Sequence, residues 1–240
     1  MTFARWLLSN FSLNPGTIYE PPGLYSSAEI AELVALGMNS LTLFPVGPTV
    51  AEAEKASTNV SKLLSQLNQS GCCDNVQFTY YGFDEARSWD HLKTTFGYLK
   101  RRFPSLLSLT TAQGFRYSPD VIRGLNIDIP TPIMDQASNM IANLSECVHD
   151  GVEVWTYVSP EPYGDFLNWR VDNALFEPRL IFWQASMLRL SGFLYEGVNA
   201  WADNFTLIDE AALASPFLDR RIWAFNSEHP RGVGTKMLTW

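Results

Sequence analysis

The chain has 240 residues, 46% hydrophobic and 18% charged. That composition buries a core and excludes a disordered chain. A net charge of −8 sets the surface against polyanions, so neither nucleic acid nor an anionic membrane is an expected partner. No apolar run approaches the roughly 18 residues of a membrane span.

Aromatic residues make up 13%, with 8 Trp. Their flat apolar faces suit the C–H face of a sugar ring and equally suit an ordinary core. Residues 1–13 lack the pattern of a signal peptide. Five Asn-x-Ser/Thr sequons, at Asn10, Asn59, Asn68, Asn143 and Asn204, lean toward a secreted or lysosomal protein. Cys72, Cys73 and Cys147 make no disulfide framework and read as thiols.

Taken in order, residues 1–25 are rich in Asn, Pro and Gly and read as loop, with a short strand near 17–19. Ser26 and Glu29 have capping-box spacing and open a helix. Its apolar face is Ile30, Leu33, Val34 and Leu36, and Gly37 with Asn39 closes it. Residues 40–46 form a strand, and 49–67 a helix with Val60, Leu63, Leu64 and Leu67 at helical spacing. Val76, Phe78, Thr79, Tyr80 and Tyr81 fit a buried pleated surface. That strand leads through Gly82-Phe83 to two adjacent carboxylates, Asp84 and Glu85. Ser88 is the expected N-cap of a helix over 89–103, with Leu92, Phe96 and Leu99 inward.

A strand over 105–111 follows, then a short helix at 120–124 and a short strand at 125–129. Residues 133–150 read as one helix with Met134, Ala137, Ile141 and Leu144 as its stripe. A strand at 152–158, a helix at 177–190 and a strand at 192–198 complete the clear pattern. The last strand leads to Asn199 and Trp201; the tail, 202–240, is weaker, with a strand expected at 221–225.

Strand and helix alternate about six times, which predicts a parallel sheet with helices outside it. No Gly-x-Gly-x-x-Gly or Gly-Lys-Ser/Thr loop follows a strand, so a nucleotide-binding sheet loses support. The expected fold is α/β, a (β/α)8 TIM-type barrel forming a single domain over residues 1–240. Either some units are hidden in the termini or the chain is an excerpt of a longer protein.

In such folds chemistry sits at the carboxyl ends of the strands, where Asp84 and Glu85 fall. The plainer reading is that Asp84 caps the next helix and Glu85 is solvated. Consecutive strand residues face opposite sides, so both reach one pocket only if the strand bends or has ended at Gly82-Phe83; Gly82 permits a bend. His91, His149 and His229 show no metal-ligand spacing; no metal and no cofactor are expected.

Tyr81-Gly82-Phe83-Asp84-Glu85 resembles the Asp-Glu strand of glycoside hydrolase family 123 and related uncharacterised bacterial barrels. Val154-Trp155-Thr156-Tyr157-Val158, followed by Pro160-Glu161-Pro162-Tyr163, is similar to their Trp/Tyr-bearing strand and loop. Glu177-Pro178-Arg179 with Trp183, and Gly192-Phe193-Leu194-Tyr195 with Asn199 and Trp201, resemble the later helix and strand. The resemblance covers residues 26–201. It departs at Glu196, where the family often has an aromatic. Family members are usually longer, and residues 234–240 look like a chain stopping before a final family segment.

The resemblance implies an exo-acting β-N-acetylgalactosaminidase using substrate-assisted, retaining catalysis, in which the 2-acetamido oxygen is the nucleophile. Glu85 would protonate the glycosidic oxygen and later activate water, a role that asks for burial and a neighbouring negative charge. Asp84 would accept the acetamido N–H and stabilise the oxazolinium charge. Tyr157 or Tyr195 would donate to the acetamido carbonyl; Trp155 and Trp201 would wall the pocket, with Asn199 beside them. The enzymatic alternative is a conventional retaining pair, Glu85 as acid/base and Glu196 as nucleophile. The third reading is a non-catalytic carbohydrate-binding barrel.

Overall fold

Two four-stranded sheets organise the chain, in a computed structural model that describes residues 2–15, 25–87, 90–114, 116–159, 162, 166–169, 174, 176–195 and 236–239. The first sheet contains β2 (Ser40–Val46), β3 (Gln77–Gly82), β4 (Leu107–Thr110) and β5 (Ile129–Pro130), in that order and all parallel. The second runs β1 (Asn14–Pro15), β8 (Lys236–Thr239), β7 (Gly192–Tyr195), β6 (Trp155–Val158). Here β6 and β7 are parallel, and β8 is antiparallel to both its neighbours. The fold is therefore α/β, with helices packed on a parallel sheet. The antiparallel β8 departs from the all-parallel expectation.

The helices are α1 (Thr2–Phe11), α2 (Ser27–Ala35), α3 (Val50–Ser70), α4 (Leu92–Arg102), α5 (Pro119–Gly124), α6 (Met134–Asn139), α7 (Ile141–His149) and α8 (Glu177–Met187). Local chemistry accounts for their ends. Ser26 and Glu29 form the expected capping box on α2, and Thr49 with Glu52 forms a second on α3. Gly71, at φ 61°, ends α3 in the left-handed region.

Three expectations are corrected. Residues 2–11 are a helix, not loop: Ala4, Leu7 and Leu8 are buried at helical spacing, and the Pro- and Gly-rich part begins only after it. The helix expected over 133–150 is broken at Met140, whose φ and ψ are −112° and 26°. One turn earlier the Ser138 hydroxyl donates to the Met134 carbonyl at 2.8 Å, a back-bond that bends helices. Cys72 and Cys73 are not thiols but a vicinal disulfide in the turn before β3; Cys147 is free and buried. The helix after the carboxylates starts at Leu92 with His91 at its N-cap, so Ser88 is not its cap; the expected strands at 17–19 and 221–225 lie outside the described residues.

Side-chain alternation sets the two layers. On the helix side of the first sheet, Tyr80 packs edge-on against Phe96 of α4 at 5.4 Å and lies 5.9 Å from Phe44. On the opposite face, Tyr81, Leu109 and Ile129 join Ile133, Trp155, Tyr157 and Leu194 in one buried cluster. The helix-free faces of both sheets thus share one apolar interior. Each such side chain contributes about 1.5–3 kcal/mol by burial. The sheets are also tied at both flanks. A parallel bridge joins Ile133 to Tyr157, and the Asn14 side chain of β1 bonds Asn39, just before β2, at 2.7 and 3.0 Å. Among the described residues no helix is long and apolar enough to cross a membrane.

Candidate active site

β3 ends at Gly82, a position with little room for a side chain. A Cβ there would lie 3.2 Å from both Cβ and O of Val46 and 3.3 Å from the Phe96 ring. The strand has ended at Gly82, one of the two expected routes, and the backbone turns at Phe83. Phe83 has φ 57° and Glu85 has φ 45°, the left-handed region that costs an ordinary residue about 1–2 kcal/mol. The surroundings enforce it. The Phe83 ring packs edge-on against Phe96 at 5.4 Å. The Phe83 carbonyl accepts from Ala86 N at 3.3 Å and from the Thr110 hydroxyl at 3.4 Å. Glu85 N donates to Thr111 Oγ1 at 2.9 Å, and Gln113 N to the Ala86 carbonyl at 2.9 Å. The turn after β3 is therefore clamped by the residues that follow β4.

This turn defeats the alternation that would have separated the carboxylates. Asp84 Oδ1 accepts from the Tyr81 hydroxyl at 2.5 Å, with Thr111 Oγ1 at 3.3 Å. Glu85 Oε1 accepts from the Tyr157 hydroxyl at 2.6 Å. Tyr81 and Tyr157 both belong to the shared interior cluster, so both carboxylates are anchored to the same end of it. Burial, then the hydrogen bond to Glu85 and its charge, push the Tyr157 phenol far above its ordinary value; a Gln113 hydrogen bond opposes them, and Asp84 adds a smaller push upward. Tyr157 therefore remains a protonated donor toward Glu85. Asp84 and Glu85 are themselves solvent-exposed, so the burial expected of an acid at Glu85 is not met.

Of the other site candidates among the described residues, the structure brings Tyr157 alone to the carboxylates. Trp155, two residues earlier on the same face, is fully buried. Its indole N–H donates to Glu153 Oε1 at 2.8 Å, and its ring lies against Gly192, where a Cβ would come within 2.4 Å. It fills the interior instead of walling a pocket. Tyr195 has the opposite parity. It shares the Phe193 face and lies 4.6 Å from Trp169 in the layer beside α8. Asn199, Trp201 and the alternative nucleophile Glu196 lie outside the described residues.

The sequence marks Tyr81 only as a strand residue, and it does not single out Thr111 or Gln113. Their signal was parity: Leu107, Leu109 and Thr111 alternate along one face, so Thr111 sits on the interior side just past the strand end. Among the described residues no group of three or more His, Cys, Asp or Glu is placed to hold a metal. No family model and no curated protein matches the chain. What the site offers chemically is a pair of adjacent, solvent-reachable carboxylates, each fixed by a different tyrosine.

Proposed function

We propose that the chain is a glycoside hydrolase acting on terminal β-linked N-acetylhexosamine, with N-acetylgalactosamine favoured, by substrate-assisted retaining catalysis. One observation carries the reading: consecutive carboxylates, Asp84 and Glu85, are turned to the same end of the shared interior by a strained, clamped turn. Glu85 protonates the glycosidic oxygen and then activates water. Asp84 holds the acetamido N–H and offsets the positive charge of the oxazolinium. Tyr157 steadies Glu85 by donating its one proton to Oε1 at 2.6 Å.

The fold belongs to the same proposal. Two sheets facing one apolar interior, bridged at Ile133–Tyr157 and tied at Asn14–Asn39, suit a TIM-type barrel whose β8 enters antiparallel. The carboxylates then occupy the rim on which barrel enzymes place their chemistry.

The experiment compares chromogenic β-N-acetylgalactosaminide and β-N-acetylglucosaminide, with a thiazoline as inhibitor of the acetamido route. Turnover, thiazoline inhibition and loss of activity in Glu85→Gln are the expected results. Glu85→Gln should spare activated aryl glycosides, which need little protonation, relative to alkyl glycosides. Turnover insensitive to thiazoline and abolished by Glu196→Gln would replace this reading with the conventional pair. Binding of the sugar without turnover would make the chain a carbohydrate-binding barrel.

A further inference from the structure

Thr111 stands where the two rim carboxylates and two neighbouring strands meet. It is 2% exposed, just past the end of β4, and its single hydroxyl oxygen touches three groups. Glu85 N donates to it at 2.9 Å, the Tyr81 hydroxyl lies at 2.7 Å, and Asp84 Oδ1 lies at 3.3 Å. A backbone N–H can only donate, and a hydroxyl has one proton. Thr111 therefore accepts from Glu85 and must turn its own proton toward Tyr81 or Asp84. The shorter contact is Tyr81, whose proton goes on to Asp84 at 2.5 Å. The order that satisfies every group runs from Glu85 N–H to Thr111, to Tyr81, and ends on Asp84 as acceptor.

We propose that Thr111 is a positioning residue, which pins the strained Asp84-Glu85 turn from the neighbouring strand and, through Tyr81, fixes the orientation of the Asp84 carboxylate. The catalytic consequence rests on the glycosidase reading; the geometric one does not. An acceptor at Asp84 is what an acetamido N–H requires. A turn held at Glu85 N–H keeps the acid on the same side as Asp84, although alternation along a strand would separate them.

The test uses the full chain with Thr111→Val, Thr111→Ser and Tyr81→Phe. Amide hydrogen exchange at Glu85 reads the clamp without turnover. Thr111→Val should accelerate that exchange about tenfold or more, because the N–H loses its acceptor, while Thr111→Ser keeps it protected. Tyr81→Phe should leave Glu85 protected, because Thr111 still accepts there. On an N-acetylhexosaminide, Thr111→Val should lower kcat about 10–100-fold with little change in KM, and Thr111→Ser should restore most of it. Tyr81→Phe should lower kcat as well, and Thr111→Ala gives the same two readouts if Thr111→Val does not fold. Wild-type exchange and kcat in Thr111→Val overturn the proposal. So does a Thr111→Ser protein as impaired as Thr111→Val. A wild type with no turnover overturns the glycosidase reading instead, and unaltered Glu85 exchange in Thr111→Val would still overturn the clamp.

Discussion

At the carboxyl ends of β3 and β4, residues are joined by hydrogen bonds: Tyr81 to Asp84 and Thr111, the Glu85 backbone N–H to Thr111, and the Glu85 carboxylate to Tyr157. Along β6 and β7 the aromatics are joined by packing: Trp155 against Gly192, and Tyr195 against Trp169. Both regions are aromatic-rich and both lie on parallel strands. Their difference comes from where each residue falls relative to the strand end. Within a strand, an aromatic is committed to one layer by parity and is buried there. One or two residues past the end, the backbone turns, and polar groups take partners across strands.

The largest expected effect on activity falls on the first region. Asp84→Asn keeps the shape and removes the charge, so kcat and kcat/KM should drop together by about 10²–10³, or roughly 2.7–4 kcal/mol. Steady-state kinetics with an N-acetylhexosaminide check it. The melting temperature should move little, because Asp84 is solvent-exposed. A loss of stability that accounts for the loss of activity would make the rim a structural feature like β6 and β7.

The second region should answer in the opposite way. Trp155→Ala empties a fully buried site and should cost about 3–5 kcal/mol in denaturant unfolding, with KM unchanged for the folded fraction. A KM effect without a stability effect would return Trp155 to a pocket wall. Gly192→Ala should cost somewhat less, about 1–3 kcal/mol, because its Cβ would fall 2.4 Å from the Trp155 ring unless the indole shifts. The same unfolding experiment reads it. Trp155→Phe in the same chain, by making room, should recover part of the loss; strict additivity of the two changes would show that they do not share one contact.

The contrast also explains what could be read from the chain alone. Strand β2 falls at the residues expected, as does the Ser26–Glu29 box, because alternation, capping and turn chemistry are local. Asp84 and Glu85 were visible as two costly charges at a strand end. Their partners were not. Thr111 is 26 residues from Glu85, and Tyr157 is 72, and no local pattern couples such positions. The misplacement of Trp155 and Tyr195 has a different origin. Their residue types suit a sugar platform, but Trp155 lies two residues before Tyr157, too deep to reach the rim, and Tyr195 follows the Phe193 face. The helix at residues 2–11 is hard to read because the Pro- and Gly-rich segment that follows it dominates the composition of residues 1–25 and masks the spacing of Ala4, Leu7 and Leu8.

The smallest expected effect also separates polar from packed structure. Past the end of β2, Thr49 and Glu52 form the box that starts α3; Glu52 accepts from the Thr49 hydroxyl at 2.7 Å and from its backbone N–H at 3.0 Å. The hydroxyl bond first, and the backbone bond second, hold the Glu52 carboxyl below its ordinary 4.5. A carboxyl lowered in the folded state contributes stability above its unfolded value, and that contribution disappears as pH falls through the folded value. Wild type should therefore melt higher than Glu52→Gln near neutral pH, and the gap should close as the pH drops below 4.5. Thr49→Ala, which removes the cap itself, should cost about 1 kcal/mol. Melting curves from pH 3 to 7, about the span over which such a carboxyl titrates, make the comparison. A Glu52→Gln gap independent of pH would show that the box acts by shape alone.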